Sequence, residues 1–478
     1  MKHKAVHYIL SLCILIIPVS CNINNGATDE KPNFVVIFCD DMGYADLEPY
    51  GHPTISTPNL SKIAKEGQKW TSFYAGAPVC TPSRAALLTG RLPIRSGMVS
   101  DNRRVLFPDS EGGLPGSEIT IAEMLKEEGY ASACIGKWHL GHLPEYLPLS
   151  QGFDYYYGIP YSNDMDRPEG VSHRESIYDP VIENFQVPLI RNTEEIERPA
   201  NQVTITKRYT EEAVKFIEES QEEPFFLYLA HSMPHVPLFT TEEFKGVSRR
   251  GEYGDVIEEI DWSVGQVVNK LEELGLEDNT LVVFTSDNGP WLVFEELGGS
   301  AGLLRGGKGG TFEGGMRVPG IFWWPGKIKP GVIMEPGATM DLLPTIGKIA
   351  GVEAPDDRML DGYDISPVLF QTGESPRDDM IFYRGTKVFA IRKGPFKAHF
   401  ITQPEYGRNR NVQTFHDPPL LYNLEVDPGE QYNIADEHPD IIEVIIKIKE
   451  THEATIVPVV NQLERRNEEE VDHQKKSL

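Results

Sequence analysis

The sequence predicts an α/β fold, in which a large, mostly parallel or mixed sheet is sandwiched by helices and followed by a smaller C-terminal α+β subdomain carrying an antiparallel sheet. Two patterns carry this expectation. From Asn33 onward, short apolar runs at residues 35–39, 131–135, 225–230 and 281–286 alternate with amphipathic stretches at 60–66, 119–128 and 256–274. That alternation marks β-α-β units whose strands are buried on both faces. After Pro355 the chain changes to short strand-like runs at 380–383, 388–392 and 396–400, then a helical stretch at 441–449. The patterns divide the chain into a leading segment over residues 1–20, a main domain over 31–354 and a subdomain over 355–478, whose polar end at 468–478 is expected to fray.

A chain of 478 residues with 40% hydrophobic content can supply cores for both parts. Its formal net charge of −27 argues against nucleic acid or an anionic membrane surface as the main partner, because phosphates need a basic footprint. An anionic substrate would therefore have to be drawn in by a few cations focused in one cleft. Solubility in a salty medium explains the acidity equally well.

Residues 8–19 form an apolar run behind Lys2 and Lys4, the charged and hydrophobic regions of an export signal that is too short to span a bilayer. The end of the run resembles a bacterial lipobox closed by Cys21, with Pro18 an imperfect fit, so lipidation of Cys21 and ordinary cleavage are the two expectations. Of five cysteines, Cys13 and Cys21 belong to this segment, which leaves Cys39, Cys80 and Cys134 and no disulfide framework. Cys39 and Cys134 fall in apolar runs and read as buried strand residues. Cys80 falls in a polar turn.

The segment Cys80-Thr81-Pro82-Ser83-Arg84-Ala85-Ala86-Leu87-Leu88-Thr89-Gly90 reads as a loop entering a helix, with Thr81 or Cys80 as cap, Pro82 in the first turn and Gly90 as terminator. Cys80 then sits at a helix N-terminus, where backbone N–H groups favour an anion and Arg84 adds a charge-assisted donor. A cysteine in such a place is most often structural. Extended to Arg91, however, Cys-x-Pro-x-Arg followed by Ala-x-Leu-x-Thr-Gly-Arg resembles the signature of type I sulfatases, of the arylsulfatase A-like branch of the alkaline phosphatase superfamily. In that family a formylglycine-generating maturation enzyme oxidises the cysteine to 3-oxoalanine (formylglycine).

The resemblance runs in order from Pro32 to about Ala435, and each match has its own physical reading. Asp40 and Asp41 stand together at a strand end, a repulsive pair unless a cation lies between them. Asp287 and Asn288 end another strand, where an Asx turn is the commoner fate. All four are hard oxygen ligands, suited to Ca²⁺ or Mg²⁺. The resemblance implies one Ca²⁺ per chain, bound by Asp40, Asp41, Asp287, Asn288 and the modified Cys80. Lys137 and His139 follow the run at 131–135 on the same side of an extended segment; the family assigns the lysine to sulfate and the histidine to the formylglycine hydroxyl. His235 matches the leaving-group histidine, with His231 as an alternative that more readily packs, and Lys308 in the glycine-rich loop 304–315 matches the second sulfate-binding lysine. Arg317 could serve the substrate but reads more readily as a structural ion pair.

On this resemblance the hydrated aldehyde at position 80 attacks sulfur while Lys137, Lys308 and the metal hold the sulfate oxygens. His235 protonates the leaving alcohol, and His139 assists expulsion of sulfate. The implied substrate is a sulfated poly- or oligosaccharide met in the periplasm or at the cell surface of a Gram-negative bacterium, with membrane attachment only through lipid on Cys21. Tyr155, Tyr156, Tyr157, Asn163, Asp164 and Trp291 are candidates to line a sugar site, although a tyrosine run is more often packing. Two other readings compete: a phosphonate or phosphodiester hydrolase of the same superfamily, and a glycan-binding lipoprotein without turnover.

Overall fold

The computed structural model describes residue 1 and residues 31–407 and 412–466, so the expectations for residues 1–20 and 468–478 lie outside the described residues. The first sheet is built from β1 (Asn33–Cys39), β2 (Gln68–Tyr74), β3 (Ala131–Gly136), β4 (Tyr155–Gly158), β5 (Leu189–Arg191), β6 (Glu194–Glu197), β7 (Phe225–Ala230), β8 (Thr280–Ser286), β9 (Arg317–Trp323) and β10 (Gly331–Ala338). Their order is β10-β2-β9-β8-β1-β7-β3-β4-β5-β6. The centre, β8-β1-β7-β3-β4, is parallel, while β9 runs antiparallel to both β8 and β2, and β5 and β6 close the other end as an antiparallel ribbon. The sheet is therefore mixed around a parallel core.

Both faces of that core are covered, which is why β1 reads as an unbroken apolar run with every residue buried. Successive side chains alternate between faces. Val35, Ile37 and Cys39 join the core formed with the helices Pro58–Glu66, Ile205–Glu219 and Glu252–Leu274. Phe34, Val36 and Phe38 join the opposite core, with Cys80–Thr89, Ile121–Lys126 and Leu342–Ala350. Cys39 and Cys134 are buried free thiols on strands, as their apolar settings predict.

The predicted helix at 119–128 shortens to Ile121–Lys126 because Thr120 and Glu123 form a reciprocal capping box. The helix expected at 256–274 begins earlier, at Glu252, with Glu252 and Asp255 in the first turn, where the helix dipole favours acidic groups.

In the C-terminal region β11 (Asp379–Arg384), β12 (Lys387–Lys393), β13 (Phe396–Thr402) and β14 (Thr414–Asn423) form a separate antiparallel sheet in sequential order. Met380, Phe382, Ala390, Ala398 and Leu421 pack there with Ile442 and Ile445 of the helix Pro439–Glu453. Both sheets belong to one compact unit that begins at Pro32. Among the described residues no helix is long and apolar enough to cross a membrane.

Candidate active site

The carboxyl ends of four adjacent parallel strands deliver the polar residues to one place. Asp40 and Asp41 follow β1, Lys137 and His139 follow β3, His235 follows β7, and Asp287 and Asn288 follow β8. Such ends are where open α/β sheets bind ligands. Gly136 ends β3 at φ +115°, and a Cβ there would stand 1.8 Å from the Ala230 carbonyl oxygen, so only glycine lets the chain turn beside β7.

Cys80 is the first residue of the helix Cys80–Thr89, which ends at Gly90 with φ +66°. The cap is Val79, which offers no side-chain acceptor, and not Thr81 or Cys80. Thr81 is engaged elsewhere: its hydroxyl donates to the His139 carbonyl at 2.9 Å and accepts from the Leu106 amide at 3.3 Å. The helix therefore starts without a side-chain cap, leaving its first amides to whatever binds at position 80. The thiol donates to Asp40 Oδ1 at 3.3 Å, and burial together with the charge of Asp40 pushes its pKa well above the ordinary thiol value.

Around Cys80 three carboxylates are buried: Asp40, Asp41 and Asp287 are all at most 3% exposed. Ligand atoms of Asp40, Asp41, Cys80 and His235 lie within 4.8 Å of one another. Asp287 Oδ1 accepts from the Asp41 amide at 3.1 Å, and Asn288 donates to Asp41 Oδ1 at 2.7 Å, so both join the cluster. Three countercharges answer it. Lys137 pairs with Asp40, Lys308 Nζ with Asp41 Oδ2 at 2.7 Å, and Arg84 with Asp287 Oδ2 at 3.0 Å. Burial works against ionisation of Asp40, but Lys137, His235, Arg84 and Lys308 outweigh it and hold its pKa well below the carboxylate range. At Asp287 burial and the charge of Asp40 win, and its pKa is raised.

That imbalance, three buried acids crowding each other and an Asn288 Oδ1 with no hydrogen-bond partner among the described residues, fits a hard cation. The expected ligand set is brought together, and the residues fit Ca²⁺ by donor chemistry. Arg84 differs from expectation. Its guanidinium is fully buried beneath the carboxylates, donating to Asp287 and to the Lys137 carbonyl at 2.8 Å, so it neutralises the cluster and does not face an outside anion.

Lys137 and His139 do not lie on an extended segment. His139 has φ +60°, which turns the chain after Trp138. Its Nε2 donates to the Leu106 carbonyl at 2.9 Å, its Nδ1 has no partner among the described residues, and burial followed by Lys137 lowers its pKa. His235 stands with Nε2 3.6 Å from Asp41 Oδ2, its Nδ1 donating to the Val236 carbonyl at 2.6 Å. Burial, then Lys308, lowers its pKa. His231 packs away from the cluster against Ser263 at 3.3 Å, and burial brings its pKa down to about 4, as befits a core histidine.

Several residues with a part in the site carry no local sequence signal. Ser162 accepts from Lys137 Nζ at 3.3 Å from a loop after β4, and Ser286 Oγ accepts from the Met42 amide at 3.0 Å. Ser286 is marked only as the last residue of β8, and Ser162 lies four residues past β4. Trp291, proposed for a sugar site, instead packs on the centre itself, 5.4 Å from His235 between ring centroids and 4.3 Å from Lys308 Nζ.

The tyrosine run belongs to β4 and not to a loop. Tyr156 is wholly buried, Tyr155 donates to Glu212 at 2.7 Å, and Tyr157 accepts from Arg208 at 2.9 Å. Asn163 is buried, donating to the carbonyls of His235 at 3.3 Å and Pro237 at 3.1 Å, and Asp164 accepts from His173 at 3.2 Å. Arg317 pairs with Glu313 as a structural ion pair.

An open cleft of about 990 Å³, lined among others by Arg103, Arg104, Tyr161, Arg384 and Tyr406, lies beside this centre. A small adjoining cavity shares Arg104, Arg384 and Tyr406 with it and reaches Val79, the residue before Cys80.

Comparison with known proteins gives the family. Residues 32–352 match the family described as Sulfatase, and residues 375–476 match the C-terminal region of aryl-sulfatase. Arylsulfatase A of Homo sapiens is 42% identical over 455 residues, covering 88% of each chain. N-acetylgalactosamine-6-sulfatase of Canis lupus familiaris is 39% identical over 481 residues, covering 94% of this chain and 91% of the other. The crystal structure of a sulfatase from Pseudoalteromonas sp. superposes with a TM-score of 0.80 at 31% identity, covering 92% of each chain. A family match over most of the chain, on the fold that carries these residues to one cluster, makes this protein a member of the sulfatase family, the sulfuric ester hydrolases.

Proposed function

We propose that the protein hydrolyses sulfate monoesters on sulfated poly- or oligosaccharides, with Cys80 oxidised to formylglycine by a maturation enzyme and one Ca²⁺ held by Asp40, Asp41, Asp287, Asn288 and the modified side chain. The observation that carries this reading is the meeting of Lys137, Lys308 and His235 on the Asp40–Asp41 pair at a helix N-terminus. When present, the hydrated aldehyde supplies a hydroxyl nucleophile and the cation supplies positive charge near the sulfate oxygens. The chain's own residues do the rest.

Lys137 and Lys308, now neutralising carboxylates, are the two cations available to the sulfate oxygens, and the first-turn amides of Cys80–Thr89 add fixed dipoles. Arg84 stays with Asp287 and positions it. His235 is the candidate acid for the leaving oxygen: an anionic ester beside it favours the imidazolium, opposing the effect of burial. His139, held through Nε2, presents Nδ1 as a proton acceptor at position 80. The carbohydrate class rests on relatives named N-acetylgalactosamine-6-sulfatase. The same reading divides the chain into a catalytic domain over 31–354 and a C-terminal subdomain over 355–478, and locates the enzyme in the periplasm or at the cell surface of a Gram-negative bacterium, free or anchored through Cys21.

Two measurements check this. Mature enzyme, purified from a host with a formylglycine-generating enzyme, is expected to release sulfate from sulfated oligosaccharides. Release from small aryl sulfates alone removes the carbohydrate part, and cleavage of phosphonate esters without any sulfate ester removes the whole reading. Separately, Ca²⁺ at about 100 times its Kd is expected to stabilise the chelator-treated protein by about 2.7 kcal/mol, or about 3 °C for a chain of this size. An unchanged melting point at millimolar Ca²⁺ would refute the calcium assignment.

A further inference from the structure

The cleft beside the centre contains two arginines that form no ion pair among the described residues. Arg104 lies over the Trp291 ring at 5.2 Å to the centroid and over Tyr406 at 5.4 Å, and Arg384 lies over the same Tyr406 ring at 5.0 Å. Aromatic faces hold a guanidinium in place without neutralising it, and they leave its N–H edge open to an oxyanion. Neither arginine forms an ion pair among the described residues. Arg384 donates through one nitrogen to the carbonyls of Gln403 and Pro404, at 3.5 and 2.8 Å.

The acidic side chains of the cleft are bound elsewhere: Asp101 to Thr386, Asp109 to Arg103 and Asp166 to Arg198. Glu405 acts on Arg384, and Asp164, which accepts from His173, acts on Arg104, in each case without an ion pair. In a chain of net charge −27, acidic neighbours are plentiful, and a half-buried Arg104 and a buried Arg384 left without an ion pair form a local positive focus.

The focus is fixed to the reaction centre. Trp291, which carries Arg104, also packs on His235 and Lys308. The Tyr406 amide donates to the Lys308 carbonyl at 3.0 Å. Gly309 adopts φ +83° under the Tyr406 ring, where a Cβ would come within 2.4 Å of Cδ2. The distance between the two arginines and Lys308 is thus set by packing from three chain segments, and a cleft of about 990 Å³ holds more than the ester itself.

We propose that this cleft is a subsite for a second anionic group of the substrate, a carboxylate or a further sulfate borne on the glycan near the ester that is cleaved. It rests on the carbohydrate reading above and narrows it to polyanionic glycans. Arg104 and Arg384 bind the second anion, and Tyr406 and Trp291 orient them.

The test uses matched oligosaccharides with the same cleavable sulfate, one otherwise neutral, one with a neighbouring uronate and one with a neighbouring second sulfate. For the mature enzyme the extra anion is expected to raise kcat/KM about tenfold or more, almost entirely through KM, with the advantage shrinking as salt rises. In R104Q and R384Q that advantage is expected to fall to within about twofold, with R384K recovering part of it. Whichever of the two anionic substrates shows the advantage identifies the group. No advantage in the unsubstituted enzyme, or an equal proportional loss on neutral and anionic substrates in both variants, would overturn the subsite. Cleavage of aryl sulfates with no glycan turnover at all would instead overturn the carbohydrate reading, and this subsite with it.

Discussion

Cys80→Ala is expected to abolish sulfate release, lowering kcat/KM by on the order of 10⁴ or more, the scale on which removal of a nucleophile acts in other hydrolases. The side chain makes one hydrogen bond, to Asp40, and sits at the first position of a helix where alanine is well tolerated, so stability is expected to change by less than about 1 kcal/mol. The loss would then be chemical and not a loss of fold. Weighing the tryptic peptide that contains Cys80 beside a sulfate-release assay checks the claim: a peptide lighter by the thiol-to-aldehyde difference should accompany activity, and unconverted protein should behave as the alanine variant does. Residual activity above about 1% in that variant would mean that another group attacks sulfur.

The largest stability effect is expected at Glu313. Its carboxylate accepts from Tyr74 at 2.7 Å, Arg317 at 2.6 Å and Lys397 at 2.8 Å, and its amide donates to Glu430 at 2.6 Å. Glu430 in turn pairs with Lys397 and His399, and Glu313, Lys397, His399 and Glu430 are all fully buried. The network ties the end of the glycine-rich loop to β13 of the C-terminal sheet. Glu313→Ala leaves Arg317 and Lys397 buried with too little negative charge, a change worth about 3–5 kcal/mol in denaturant unfolding. A loss under about 1 kcal/mol would show that Glu430 alone compensates.

The pH dependence has a definite sign. Burial opposes ionisation of Glu313, but Arg317, Lys397 and Arg392 outweigh it and hold its pKa well below the ordinary value of 4.5. The folded value lies below the unfolded one, so the contribution is complete above pH 4.5 and is lost as the pH falls through the folded value. The stability gap between the unsubstituted protein and the alanine variant should therefore narrow on acidification below pH 4.5.

Much of the site was legible because its residues are local in sequence. Strands β1, β3, β7 and β8 are short and mostly apolar, so the pattern places Asp40, Lys137 and Asp287 directly at strand ends, while His235, five residues past β7, was singled out over His231 by the family resemblance. Cys80 was placed at a helix start by Pro82 and Gly90. Other features had no local mark. The strand β9 pairs with β2 and β8 across long stretches of chain, and its reversal of the parallel order depends on partners that no short window contains. Tyr155, Tyr156 and Tyr157 could be read in isolation as either packing or a sugar-site lining, and pairing with β3 decides that they form a strand.

The sequence by itself determined the family and the candidate set: the resemblance singled out Cys80, the carboxylates, the lysines and the histidines, and most of them lie within a few residues of a strand or helix end. Tertiary structure alone decided how those charges are shared, setting Arg84 beneath Asp287, turning His139 at positive φ, and stacking Arg104 and Arg384 on one tyrosine. Those outcomes depend on burial and on distances between segments hundreds of residues apart, and charge in a folded interior is settled by its nearest neighbours in space, which adjacency along the chain does not specify.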